Sequence, residues 1–297
     1  MRFRTYFDGF IPFPGYPGLP ERAVAVHELP RFLAGVQRLQ FDWALQMHGD
    51  GSYVNPLVAM LGAQRAAGYY RSQDYCPDRD TFLPYPDAEP EVRRHLRLMK
   101  FLGVPLQGED LEFPLTDADR NGLAAIPDAA TLQPKQYVCI HPGARYASRR
   151  WTPEGFAQVG DALTAAGYAI VLTGSAAESP LTQAVATTMQ GPSLDMAGRT
   201  SLGVLGALIE KSRLVVTNDT GVSHLAAALK TPSVVVVLGS DPARWAPLDG
   251  RRHRVVMQPV DCRPCPAPTC PIGMPCATSL APDVVIRSAM ALMKESP

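Results

Sequence analysis

Between residues 137 and 238 the chain alternates repeatedly between a short β-branched run, a glycine or polar turn, and a stretch with helical apolar spacing. Few architectures accept that pattern. Continuous apolar runs suit strands buried on both faces, and helical stretches between them suit crossovers, so the alternation predicts a parallel, doubly wound α/β sheet. Strands are read at Tyr137–Ile140, Tyr168–Thr173, Leu194–Ala197, Leu214–Thr217 and Ser233–Leu238. The helices between them are read at Thr152–Ala166, Pro180–Met189 and Ser201–Lys211. Thr152 stands as a cap, Pro153 at the first helical position and Gly167 just past the end, which is ordinary helix punctuation.

Within this unit the stretch Arg213–Leu229 says most about chemistry. Its strand halts at Asn218-Asp219-Thr220-Gly221 and an Ala/Leu-rich helix begins at once, so strand end and helix N-terminus share one tight turn. In open α/β sheets ligands bind outside the carboxyl ends of the strands. The first amides of a helix lack partners within it and the dipole is positive there, so the turn suits a phosphate. Gly221 permits close approach to the backbone, and His224, one turn on, can face the same crevice. Taken singly, Asp219 or Thr220 reads as a helix cap. They have company. Gly143, Ala144, Arg145, Arg149 and Arg150 follow the first strand, Glu178 follows the second, and Thr200 and Ser201 precede a helix on the same rim. A guanidinium fork opposite helix amides is a diphosphate arrangement, and a carboxylate one strand away can accept from ribose hydroxyls.

The first half is thinner. Residues 1 to 30 are irregular and rich in Pro and Gly; helical spacing follows at Leu29–Leu39, a strand at Phe41–Met47 ending in His48-Gly49-Asp50-Gly51, a helix at Asn55–Leu61 and a short strand at Ala67–Tyr70. Pro77–Pro90 reads as a surface loop, Glu91–Leu102 as an amphipathic helix, and residues 103 to 134 as the passage between domains. With only two or three strands here, the first domain is expected to lack its opening βαβ unit or to be completed by another chain. The length of 297 residues, 46% of them hydrophobic, suffices for two cored domains. Lys+Arg and Asp+Glu both total 28, a balance that argues against nucleic acid as a partner. No transmembrane segment is read, since no stretch approaches about 20 uninterrupted apolar residues, and the expected location is the cytoplasm.

The motifs His141-Pro142-Gly143-Ala144, Arg149-Arg150-Trp151-Thr152-Pro153-Glu154, Thr173-Gly174-Ser175 with Glu178, and above all Asn218-Asp219-Thr220-Gly221-Val222-Ser223-His224-Leu225-Ala226-Ala227-Ala228 resemble those of the ADP-heptose:lipopolysaccharide heptosyltransferases. Those are inverting glycosyltransferases of family 9. The resemblance covers the second domain and, more loosely, Phe41 to Gly68. It implies a GT-B fold, two Rossmann-like doubly wound domains facing across a cleft, the first of them incomplete. On that reading residues 1–130 are the N-terminal acceptor-side domain, 131–280 the nucleotide-sugar-binding domain, and 281–297 a C-terminal helix crossing back.

The resemblance further implies that Arg149, where the family usually has lysine, holds the donor diphosphate. Thr220 and Gly221 offer amides, Asp219 and His224 lie by the donor sugar or phosphate, Glu178 and Thr200 by the nucleoside, and Gly143, Ala144 and Arg145 complete the donor set. Arg149 and Asp219 are the implied catalytic groups. The family's proposed base lies on a Gly-Asp turn that opens the fold; no such turn opens this chain, and Met1 is expected to stand about two elements into it, so Asp50 or His48 is offered as a substitute. The implied partners are an ADP-sugar donor and a lipopolysaccharide core or related glycan acceptor, with peripheral contact at the inner membrane and no required metal. Two other readings stand beside this one: a nucleotide-sugar-binding protein without transfer activity, because the N-terminal base is missing, and a sugar-nucleotide epimerase of similar build.

Cys262, Cys265, Cys270 and Cys276 crowd one proline-stiffened loop. Four thiols so close suit a tetrahedral zinc or iron, reduced structural cysteines, or a disulfide. Cys76 and Cys139 read as lone, buried cysteines. Trp245 is expected to pack or to border the donor cleft.

Overall fold

The computed structural model describes residue 3, residues 6–19 and residues 22–295. Met1 and Arg2, at the expected start, and Ser296 and Pro297, at the end of the expected last helix, lie outside the described residues. The chain divides into two units, one running to Glu109 and the other from Asp110.

The first unit carries α1 (Leu29–Gln37), β1 (Trp43–Leu45), α2 (Val54–Met60), β2 (Arg65–Tyr70), β3 (Phe82–Pro84) and α3 (Glu91–Phe101). Among the described residues its sheet has three parallel strands in the order β1-β2-β3. β3 lies inside the proline-rich stretch expected to be loop. Proline ends it at the sheet edge, where the missing N–H costs no ladder bond, while Phe82 is buried.

The second unit carries α4 (Asp117–Ala124), α5 (Pro127–Ala130), β4 (Tyr137–His141), α6 (Pro153–Ala165), β5 (Ala169–Leu172), α7 (Ser179–Thr188), β6 (Ser193–Asp195) and α8 (Leu202–Lys211). It continues with β7 (Leu214–Asn218), α9 (Gly221–Ala228), β8 (Ser233–Val236), α10 (Pro242–Trp245), β9 (His253–Val256), α11 (Pro275–Thr278) and α12 (Pro282–Glu295). Among the described residues its six strands are all parallel, in the order β6-β5-β4-β7-β8-β9. The period-two alternation of strand side chains feeds two cores. Val138, Ile140, Ile170, Leu172, Leu214, Val216, Val234 and Val236 pack with Phe156, Val159 and Leu163 of α6. Tyr137, Cys139, Val171 and Val215, on the opposite face, pack with Ala207, Leu208 and Ile209 of α8 and with Val222, Leu225 and Ala226 of α9.

Two expectations about the domain limits change. Residues 110–130, placed by sequence with the first domain, belong to the second unit: Leu123 of α4 and Ala129 of α5 are buried in the α8 core, and Arg120 pairs with Glu210 at 2.9 Å. Only the start of α4 is marked locally, where Thr116 and Asp119 form a reciprocal capping box. The helix expected to cross back is α12, and its apolar face, Val285, Ala289, Leu292 and Met293, is buried in the core of the second unit itself.

Candidate functional site

The strand order of the second unit reverses direction between β4 and β7, and at such a switch point the two following turns part and leave a crevice. His141 at the end of β4 lies in register with Thr217 of β7. The next residue, Asn218, is fully buried and stitches the two turns together. Its Oδ1 accepts from the Trp151 backbone N–H at 3.0 Å, and its Nδ2 donates to the carbonyls of Pro142 at 2.8 Å and Gly143 at 3.3 Å. By sequence Asn218 reads as turn chemistry only; the signal for its role is an amide at the end of a strand otherwise buried on both faces.

Above this stitch lies a recess of about 200 Å³ lined by Ala144, Arg145, Arg149, Asp219, Thr220, Gly221, His224 and Trp245. Seven of the residues nominated from sequence therefore meet in one place. Thr220 is the N-cap of α9 yet makes no side-chain capping bond, so the first-turn amides keep no local acceptor of that kind. A Cβ built at Gly221 would meet only open space, so the protein itself does not demand glycine there. The Arg145 and Arg149 guanidinium carbons lie 5.6 and 5.3 Å from the Tyr146 ring centroid, which holds the two cations beside one aromatic body. Arg149 Nε is buried without a hydrogen-bond partner among the described residues. Trp245 borders the recess with its ring 6.3 Å from that of His224 and the Arg244 guanidinium 4.7 Å from its own centroid.

Burial pushes the His224 imidazole below its ordinary pKa against the opposing pull of Asp219, so the ring is neutral at pH 7. Gly143, Glu178 and Thr200 are not among the lining residues; they sit on neighbouring strand ends of the same rim. Glu178 accepts from the Ser175 N–H and hydroxyl, both at 2.8 Å. Burial raises its carboxyl, but those bonds and the charges of His141 and Arg150 bring it below the ordinary carboxylate value. A Cβ at Gly143 would meet the Glu178 carboxyl, so any side chain there requires that carboxyl to turn aside. Thr200 follows β6 in a turn held to the β5 turn by Gly198 N–H donating to Gly174 O at 2.9 Å.

In the first unit Asp50 is not a free base. It accepts from Arg71 Nε at 2.9 Å and from the Ser52 N–H at 3.1 Å. Burial raises its carboxyl, yet the Arg71 and Ser52 hydrogen bonds and the Arg71 charge leave it below its ordinary value, and a carboxylate so held is a poor proton acceptor. His48 is exposed. Two larger hollows, of about 480 and 290 Å³, flank α1, but both are walled mainly by apolar side chains such as Ile11, Phe32 and Val36. Volume alone does not mark a polyanion site. The smaller recess brings two cations and a helix N-terminus to one point.

The cysteine loop does not fit a metal. Among the described residues no group of three or more His, Cys, Asp or Glu side chains is placed to hold one. The four thiols range from exposed Cys262, through half-buried Cys265 and Cys270, to buried Cys276, and all are unbridged, so the loop spreads them over surface and core. Of the other two, Cys139 is fully buried, its thiol pushed up to about 12 by burial, and Cys76 is half-buried.

Comparison with known proteins adds an independent line. The profile of Glycosyltransferase family 9 (heptosyltransferase) matches residues 30–274. Lipopolysaccharide heptosyltransferase 2 of Escherichia coli (strain K12) is 30% identical over 260 residues, covering 83% of this chain and 72% of that protein. Lipooligosaccharide heptosyltransferase 2 of Haemophilus influenzae is 31% identical over 127 residues, 41% of this chain and 37% of that one. Over the first curated relatives the chain spans only 34 to 46% of their length. The crystal structure of the glycosyl transferase family 9 from Veillonella parvula DSM 2008 superposes with a TM-score of 0.74 at 18% identity, covering 92% of this chain and 81% of that one. At that identity it establishes a shared fold.

Proposed function

The chain belongs to glycosyltransferase family 9, and from that membership we propose that it transfers a heptose from ADP-heptose to a lipopolysaccharide core acceptor, with inversion at the anomeric carbon. One observation supports this reading above the others: Arg145, Arg149 and the side-chain-uncapped N-terminus of α9 share the recess at the switch point. The donor diphosphate lies between them, its oxygens taking guanidinium hydrogen bonds from one side and backbone amides from the other.

In the reaction the acceptor hydroxyl oxygen forms a new bond to the anomeric carbon as the bond to the diphosphate oxygen breaks. The electron pair goes to that oxygen, and the hydroxyl proton goes to a base. Arg149 and the amides of Thr220 and Gly221 stabilise the negative charge that grows on the leaving oxygen. Asp219, on the same recess, is a carboxylate among cations and suits the positive charge that grows at the anomeric carbon. His224, neutral at pH 7, donates a ring N–H to the phosphate or sugar without adding charge.

The test is calorimetry with ADP, followed by product analysis with ADP-heptose and a lipopolysaccharide core acceptor. A charge-assisted hydrogen bond contributes about 1.5–3 kcal/mol, so Arg149→Ala should raise the ADP Kd roughly ten- to hundredfold. Failure of the native protein to bind ADP, or an Arg149→Ala Kd within about twofold of native, counts against the reading. Binding without product reduces the protein to a nucleotide-sugar binder.

A further inference from the structure

We infer that the cysteine-bearing loop, residues 261–276, is the brace that sets Arg149 against the diphosphate; this positioning role rests on the donor reading above. The arginine turn has little structure of its own. Arg149 ends a single 3-10 turn, Ala147–Arg149, whose internal bonds are Arg149 N–H to Tyr146 O at 3.0 Å and Arg150 N–H to Ala147 O at 3.1 Å. What holds this turn from behind is Ser148, only 4% exposed. Its N–H donates to Pro268 O at 3.1 Å and its hydroxyl to Ala267 O at 2.5 Å, so both its hydrogen-bond donors are committed to the cysteine loop.

The loop is in turn fixed to the sheet. Cys265 N–H donates to Gly239 O at 2.7 Å, just past β8. Arg263 donates through Nε to Leu238 O at 2.5 Å and through Nη2 to Val237 O at 3.1 Å, satisfying carbonyls beyond the end of that strand. At its far end Cys276 is buried in the core against which α6 and α12 pack. Prolines 264, 266, 268, 271 and 275 restrict φ between those anchors, so little of the loop is free to swing. The path from β8 through Arg263, Ala267 and Pro268 to Ser148 ends one residue from the cation that lines the recess. A displacement of Ser148 carries Arg149 with it, and misplacement of such a group by about an ångström is costly to binding and catalysis.

The test is ADP calorimetry on the full chain with Ser148→Ala, Arg263→Ala, Arg263→Lys, Arg149→Ala and the doubles Ser148→Ala/Arg149→Ala and Arg263→Ala/Arg149→Ala, with melting curves to confirm that each variant folds. Neither Ser148 nor Arg263 lines the recess. Ser148→Ala should raise the ADP Kd about fivefold, the fold-change of one lost neutral hydrogen bond, and Arg263→Ala, which removes two bonds from a charged donor, at least as much. Arg263→Lys should recover part of it, and neither Ala substitution should matter once Arg149 is gone, since a brace acts only through what it positions. In turnover the effect should fall on the donor KM and leave the acceptor KM unchanged. If both single variants bind ADP like the native protein, or if their effects persist undiminished in the Arg149→Ala background, the inference is overturned while the donor reading stands. If the native protein binds no ADP, the donor reading falls and the inference with it.

Discussion

Replacing Asn218 by alanine probes the site and the fold together. The amide makes three hydrogen bonds, at 3.0, 2.8 and 3.3 Å, to the Trp151 N–H and to the Pro142 and Gly143 carbonyls. All four residues are buried, so water cannot replace what is removed. Each buried group left unpaired costs about 1–3 kcal/mol; with the 3.3 Å bond counted as weak, the two groups stranded put the loss at about 2–6 kcal/mol. For a unit of this size that corresponds to a fall in melting temperature of roughly 10 °C. Thermal unfolding followed by circular dichroism measures it, and ADP calorimetry on the folded variant should show weakened binding because the two turns have parted. Asn218→Asp sharpens the test. It keeps the acceptor for Trp151 but points a carboxylate oxygen at two carbonyls, which raises the folded-state pKa of the new carboxyl. Such a group opposes folding when ionised, so the gap in stability to the native protein should narrow as the pH falls from about 7 to 5. An Asn218→Ala protein melting within about 2 °C of native would refute the stitch as an energetic element.

Other outcomes follow from the same geometry. Tyr146→Leu removes the ring shared by Arg145 and Arg149 and should weaken ADP binding about fivefold, the effect of about 1 kcal/mol of cation–π interaction, whereas Tyr146→Phe should bind as native; calorimetry separates them. Gly143→Ala puts a Cβ against the Glu178 carboxyl, the far end of a side chain that can turn aside, so it should cost little stability; titrations should show affinity lost for ADP but kept for inorganic pyrophosphate, because the displaced carboxyl lies on the nucleoside side of the donor reading. His253, buried with its Nδ1 2.8 Å from Ser233 Oγ, is pushed down to about 4 by burial. A folded pKa below the unfolded value means stability that is present above about pH 6.5 and lost as the pH falls toward 4, here about 3 kcal/mol. Denaturant titrations of His253→Asn should show a correspondingly flatter acid limb, and an unchanged limb would assign the loss to other groups.

Much of the second unit is determined by the sequence alone, because what specifies it is local. Continuous β-branched runs, the Thr152, Pro153 and Gly167 punctuation of α6, and the abrupt change from β7 to α9 at Asp219-Thr220-Gly221 each act within a few residues. Elements that draw their stability from distant partners escaped: β3 among its prolines, α4 and α5 held by the α8 core, and the Arg71 that ties up Asp50. The same holds for the recess. Arg149 and Thr220 come from loops after different strands, and only the pairing of β4 with β7 sets them side by side. Strand pairing is a long-range choice made by burial of both sheet faces at once, so composition and periodicity could nominate the cations and the helix mouth. Only the folded sheet decided that they share one pocket, stitched by Asn218 and backed by the carbonyls of Ala267 and Pro268.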